Sequence, residues 1–335
     1  MRFKSIKEVA EKIKKEGIFS WLYRDKNKIQ GMIISPDTDG FVSALFLNNV
    51  FGWPVIGFYD GKLLVILNDI DIKRKKEEYV FIDVEILRPN IKSAGHHILL
   101  YDAEHPHPLI SSIENVCLQP NNWRGMDVKR TFATKYPFGT LHLLISIVYY
   151  LDPGNPVFSF DPKQAVIPSI YVDGVFKNLF NYPENCLDWL KYMTCDDPEH
   201  PFEKILNHPT TPKDLMKFMQ NFFNILNTIW TTQGRRRKGK ITLNTDIQNQ
   251  YLNNKVGYEL NLYLDYLAKQ YNWAFDTSLW PVITEKLKVF IFKKGIAPGN
   301  KSNYLKVLNR KPISLAITSR ARDGLEYTED PNHIF

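Results

Sequence analysis

Residues 29–50, "IQGMIISPDTDGFVSALFLNNV", set two aspartates one residue apart at the end of an apolar run. The run up to Ser35 is apolar throughout, which predicts a strand buried on both faces, as in a parallel sheet. After Asp37, Asp39 and Gly40, "GFVSALFLNNVFG" has apolar residues at helical spacing and stops at Gly52. The segment is therefore a strand, an acidic turn and a helix. Taken alone, Asp37 and Asp39 could be a turn or a helix cap. Two mutually repelling carboxylates at a strand tip point to a ligand site only if further carboxylates arrive at the same place.

Working outward, "WPVIGFYD" (53–60), "LLVIL" (63–67), "EYVFIDV" (78–84) and "HHILLYD" (96–102) also read as strands. Helical patterns at 5–16, 137–151, 185–193 and 211–232 surround them. The fold class this predicts is α/β, a parallel sheet covered by helices. In such a sheet the carboxyl ends of the strands line one edge, where ligands bind. Three of the runs carry the aspartates in question there: Asp37 and Asp39, then Asp83, then Asp102 with His105 three residues on. His96 and His97 are read as structural or surface residues opening the last strand. Four carboxylates and an imidazole in one cleft require a divalent cation to neutralise them. The mixed donors suit Mn²⁺ or Mg²⁺, and two such ions would polarise a phosphoryl oxygen and generate hydroxide.

The chain has 335 residues, 44% of them hydrophobic and 13% aromatic, enough for a substantial core. Two domains are expected: an α/β domain over 1–205 and a smaller α+β domain over 206–335, helical at first. The latter closes on strands in "LKVFIFKKG", "PISLAITSR" and "GLEYTED", with a turn at Asp323-Gly324. A net charge of +7 favours an anionic partner. Cys117, Cys186 and Cys195 lack disulfide or metal spacing, and the amino-terminal "MRFKSIKEVAEKIKKEG" has no signal-peptide core. "GTLHLLISIVYYL" is too short for a bilayer and contains His142. The expectation is a soluble, cytoplasmic protein.

"SPDTDGFVSALFL", "FIDVEI" and "GHHILLYDAEH" together resemble the first three motifs of the DHH phosphoesterase superfamily, over about residues 28–180. The resemblance implies a two-Mn²⁺ phosphoesterase with a carboxy-terminal substrate-binding domain. It also implies that Asp37, Asp39, Asp83 and Asp102 hold metal, with His105 as ligand or acid. For the fourth motif it points to Asp173, with Asp161 as a rival. The chain departs from the pattern at the name-giving triplet, which reads Asp102-Ala103-Glu104-His105, and it lacks the glycine-rich GGGH segment.

"NNWRGMDVKRTFATKYPFGT" brings Arg124, Lys129, Arg130 and Lys135 near the acidic motifs, and Arg130 and Lys135 are favoured as phosphate contacts. Arg235, Arg236 and Arg237 lie in a basic run suited to a polynucleotide backbone, and Arg320 and Arg322 in the late hairpin. The function expected is a metal-dependent phosphodiesterase acting on single-stranded DNA or RNA or on short oligonucleotides. Two alternatives stand beside it: a catalytically weakened nucleic-acid-binding relative, and a small-molecule phosphoesterase.

Overall fold

The computed structural model describes residues 1–231, 239–319 and 324–335. Its strands, in chain order, are β1 (Gly31–Ile34), β2 (Val55–Tyr59), β3 (Leu63–Leu67), β4 (Tyr79–Ile82), β5 (Lys92–Ala94) and β6 (Cys117–Leu118). A short hairpin, β7 (Ile247–Gln248) and β8 (Tyr251–Leu252), precedes β9 (Leu287–Ile291), β10 (Lys293–Ala297), β11 (Ser314–Ile317) and β12 (Leu325–Glu329). The main sheet has the order β6-β5-β4-β1-β2-β3-β9. The strands from β6 to β2 are parallel. The α/β class read from the apolar runs is therefore what the chain adopts.

One strand of the set expected to be parallel departs from it. β3 is antiparallel to β2, and β9 is antiparallel to β3. The β2–β3 connection turns at Asp60-Gly61, where the Asp60 carboxylate accepts the amides of Lys62 and Leu63 at 2.8 and 2.7 Å. An aspartate–glycine pair between two apolar runs is a hairpin signal. The run at 96–102 is not a strand either. Pairing stops at Ala94, and Ile98 makes a single bridge to Ile317 of β11. Leu99 and Leu100 are buried, and the Tyr304 hydroxyl donates to the Leu99 carbonyl at 3.0 Å. The apolar character there serves the contact with the carboxy-terminal region.

Helix α1 (Ile6–Glu16) is capped by Ser5 and buries Ile6, Val9, Ala10 and Ile13, the face its spacing predicts. Helix α2 (Thr38–Phe51) follows β1, with Asp37 as its N-cap and Gly52 in the left-handed conformation at its end. It is buried almost all round because Thr140–Leu151 and Asn254–Gln270 both pack on it.

Residues from both sides of the boundary read at 205 share elements. β9 lies at the edge of the main sheet, and Asn254–Gln270 packs on α2. The antiparallel sheet β10-β12-β11 is separate and bridges back through Ile86–Ser314 and Ile98–Ile317. It thereby stands over the carboxyl ends of the parallel strands. Among the described residues, no helix is long and apolar enough to cross a membrane.

Candidate metal centre

β1 has β2 on one side and β4 on the other. The chain leaves β1 through α2 toward β2 and later returns on the opposite flank. The carboxyl ends of β1 and β4 therefore form the crevice in which open α/β sheets bind ligands. Asp37 and Asp39 follow β1, and Asp83 follows β4. Asp83 has a φ of 61°, in the left-handed region that aspartate adopts more readily than most non-glycine residues.

The side chain that joins them is one the sequence reading set aside. His96 lies two residues past β5 and is 8% exposed. Its Nδ1 is 3.3 Å from Asp83 Oδ1 and 3.6 Å from Asp39 Oδ2, while its Nε2 is 3.2 Å from Asp173 Oδ2. One donor atom from each of Asp39, Asp83 and His96 lies within 4.8 Å of the others, and all three residues are buried. The missed signal was Gly95 immediately ahead of two histidines, which marks the true end of β5.

A helix terminus completes the site. The amides of Thr140 and Leu141 donate to Asp39 at 2.6 and 3.0 Å, at the positive end of helix Thr140–Leu151. The Thr140 hydroxyl donates to Asp83 at 2.8 Å and lies 3.0 Å from His96 Nδ1. This close approach explains Gly139: a Cβ there would sit 2.7 Å from Asp39 Oδ2. His142 Nε2 is 3.0 Å from the Ser169 carbonyl, and burial lowers its pKa to about 4, so it remains neutral and structural.

Burial raises Asp39 to about 6, with the Asp173 charge adding to the rise and His96 opposing it. Asp83 is pushed well above the usual carboxylate range by burial and by Asp39. Burial alone would lower His96, but Asp173 and Asp83 outweigh it and hold the imidazole well above its ordinary value. Protons are thus retained where a cation would otherwise balance the charge. Two carboxylates and an imidazole at this spacing fit a divalent cation of the oxygen- and nitrogen-binding kind.

Asp37 is half-buried and acts as a cap, accepting the Gly40 amide at 3.3 Å and the Ser35 hydroxyl at 2.9 Å. Asp173 reaches the cluster through His96, whereas Asp161 caps the helix Pro162–Tyr171. Asp102 belongs to a different group. Its oxygens receive Lys129 Nζ and an Arg130 nitrogen, each at 2.7 Å. Arg130 also pairs with Asp127 at 2.7 Å and with Glu104. His105 is exposed, 3.7 Å from Asp102. Asp102, Glu104 and His105 have the spacing of a cation site, but their carboxylates are already balanced by Lys129 and Arg130. Arg130 is correspondingly committed to carboxylates.

The Lys129 hydrogen bond, against an opposing desolvation, holds Asp102 well below the usual carboxylate range. A lowered carboxyl contributes stability above its unfolded pKa and loses it as pH falls through the folded value. Asp102→Asn is therefore expected to lower the melting temperature at neutral pH, with the deficit vanishing in acid. Cation affinity should stay within about twofold of wild type, because the two groups share no partner. Loss of cation binding in that variant would return Asp102 to the centre.

Lys135 is half-buried, over the Phe132 ring at 4.7 Å, and burial lowers its ammonium while Asp173 acts to raise it. Arg235, Arg236, Arg237, Arg320 and Arg322 lie outside the described residues. Beside the centre, a cleft of about 180 Å³ is lined by Asp83, Glu85, His97, Lys240 and residues of β10, β11 and β12. Glu85 is 3% exposed and lies 3.3 Å from His97 Nδ1. No family model matches the chain, and no curated protein and no solved structure matches it.

Proposed function

We propose that the chain is a metal-dependent phosphoesterase with nucleic-acid-derived substrates, built on a single compact cation site. The observation that carries the reading is the buried convergence of Asp39, Asp83 and His96 at the sheet's switch point. Mn²⁺ or Mg²⁺ is the ion proposed. When bound, it supplies Lewis-acid polarisation of a phosphoryl oxygen and acidification of water. Asp39 is oriented by two helix amides, and Asp83 by Thr140, so neither needs to reorganise to act as a ligand. His97 presents its imidazole to the cleft with Nδ1 against Glu85, which leaves Nε2 to hold or deliver a proton to a leaving oxygen.

Within the DHH resemblance, His96 and His97 directly after β5 supply the adjacent histidines that the register at Asp102 lacked. Gly95 then stands where the triplet has aspartate. The loss of that carboxylate, together with the neutralised Asp102, is why one ion is proposed where the resemblance implied two. The same feature favours a second reading, a relative that binds nucleic acid without cutting it. Incubating the Mn²⁺-loaded protein with 5′-labelled single-stranded DNA, RNA and dinucleotides separates them. Metal-dependent shortening that is lost in Asp83→Asn supports the enzyme. Metal-independent retention of intact strands supports the binder.

A further inference from the structure

We propose that Lys240 is the anion-holding residue of the cleft, taking the non-reacting oxygens of a phosphoester whose phosphorus lies against the Asp39–Asp83–His96 centre. The inference rests on the phosphoesterase reading and adds to it the residue that grips the substrate. It starts from the backbone. The Ile241 amide donates to the Pro36 carbonyl at 3.0 Å, and the Thr38 hydroxyl lies 3.3 Å from the Gly239 carbonyl and 2.8 Å from the Tyr263 hydroxyl. Pro36 and Thr38 flank Asp37 in the acidic turn itself. The carboxy-terminal end of the basic run is thus fastened to the turn that carries Asp37 and Asp39.

Gly239 makes that attachment possible. Its φ is 50°, and a Cβ would lie 2.2 Å from the Thr38 hydroxyl and 2.4 Å from the Tyr263 hydroxyl. Only glycine fits without displacing the segment. Lys240 follows it, exposed, on the wall of the cleft that also contains Asp83 and His97.

The acids around the cleft do not account for this lysine. Glu326 is paired with Lys294 at 2.7 Å, and Glu85 lies against His97 at 3.3 Å. Asp60 accepts the amides of Lys62 and Leu63, and Asp83 accepts the Thr140 hydroxyl. Lys240 has no ion-pair partner among the described residues. An ammonium anchored through its backbone, beside a cation site and without a carboxylate, is arranged to receive an anion. The cleft has a volume of about 180 Å³. That is below the range of about 300 Å³ and upward typical of pockets for whole organic ligands. The space suits a phosphate with a small substituent, so a longer substrate would enter by its end.

The test is calorimetric titration of the full chain in Mn²⁺ with two probes, inorganic pyrophosphate and a 5′-phosphorylated dinucleotide. Lys240→Ala is expected to weaken both by about 10- to 100-fold, the loss of one charge-assisted contact, with Mn²⁺ affinity and melting temperature unchanged. Lys240→Arg should recover part of the loss. Gly239→Ala, which keeps the lysine but shifts its anchor, should weaken both probes as well. Equal probe affinity in wild type and Lys240→Ala overturns the assignment and leaves the metal reading intact. Wild type that takes up Mn²⁺ but neither probe also overturns it. Wild type that takes up neither Mn²⁺ nor probe overturns both.

Discussion

His96→Ala is expected to remove divalent-cation binding and to destabilise the metal-free fold by roughly 3–5 kcal/mol, the usual penalty for stripping a buried charge of its partner. Without the imidazole, Asp39 and Asp83 remain buried at 4% and 9% exposure, and Asp173, which it contacts at 3.2 Å, loses the same counter-charge. Part of the penalty would arise from the cavity alone. A double-mutant cycle with Asp83→Asn separates the two contributions. If charge dominates, neutralising Asp83 costs less in the His96→Ala background than in wild type, a coupling of about 1 kcal/mol or more. Strict additivity would make His96 a packing residue. Cation binding that survives His96→Ala would remove it from the centre. By contrast, Asp37→Ala should cost only about 1 kcal/mol, the value of a helix cap.

The second large effect is on how pH couples to the ion. Asp39 titrates near 6 in the folded chain, above its ordinary value of 3.8. The folded state therefore holds that proton more tightly than the unfolded state, and stability falls as pH rises from about 4 to 6. Asp83, also raised, acts in the same direction. His96 is raised too, so its contribution is complete below its unfolded pKa and is lost as pH climbs through the folded one. All three make the metal-free protein less stable toward neutral and alkaline pH. A cation replaces these protons, so its stabilisation should grow with pH. The melting-temperature gap between Mn²⁺-loaded and EDTA-treated protein is expected to be small at pH 5 and several degrees larger at pH 8. A gap that is constant or that shrinks with pH would show that no proton is exchanged for the ion.

The acidic turn was legible because three local signals agree there: an apolar run, a helix cap at Asp37 and helical spacing after Gly40. β4 and Asp83 were legible for the same reason. The third strand was not. β5 is only Lys92–Ala94 and is polar at two of its three positions. The neighbouring run at 98–100 is more apolar because it lies against β11 and Tyr304. Reading apolarity as strand therefore moved the expected strand end along the chain, from the stretch before His96-His97 to Asp102-Ala103-Glu104-His105. The pairing of Asp102 with Lys129 and Arg130 could not be foreseen for a related reason. A cation 27 or 28 residues away reads equally well as a phosphate contact or as a carboxylate's partner, and only the three-dimensional arrangement decides. Lys240 was masked by the arginines before it, because a basic run reads as one solvated patch until its far end is found fastened to Pro36 and Thr38.

One buried cation site, made by Asp39, Asp83 and His96, underlies the proposed function. The most direct measurement is the stoichiometry of Mn²⁺ bound to metal-stripped protein, read by titration calorimetry for wild type, His96→Ala, Asp83→Asn and Asp102→Asn. About one ion per chain is expected in wild type and in Asp102→Asn, and none in the other two. Two ions, one of them lost in Asp102→Asn, or no ion in wild type, would contradict that expectation.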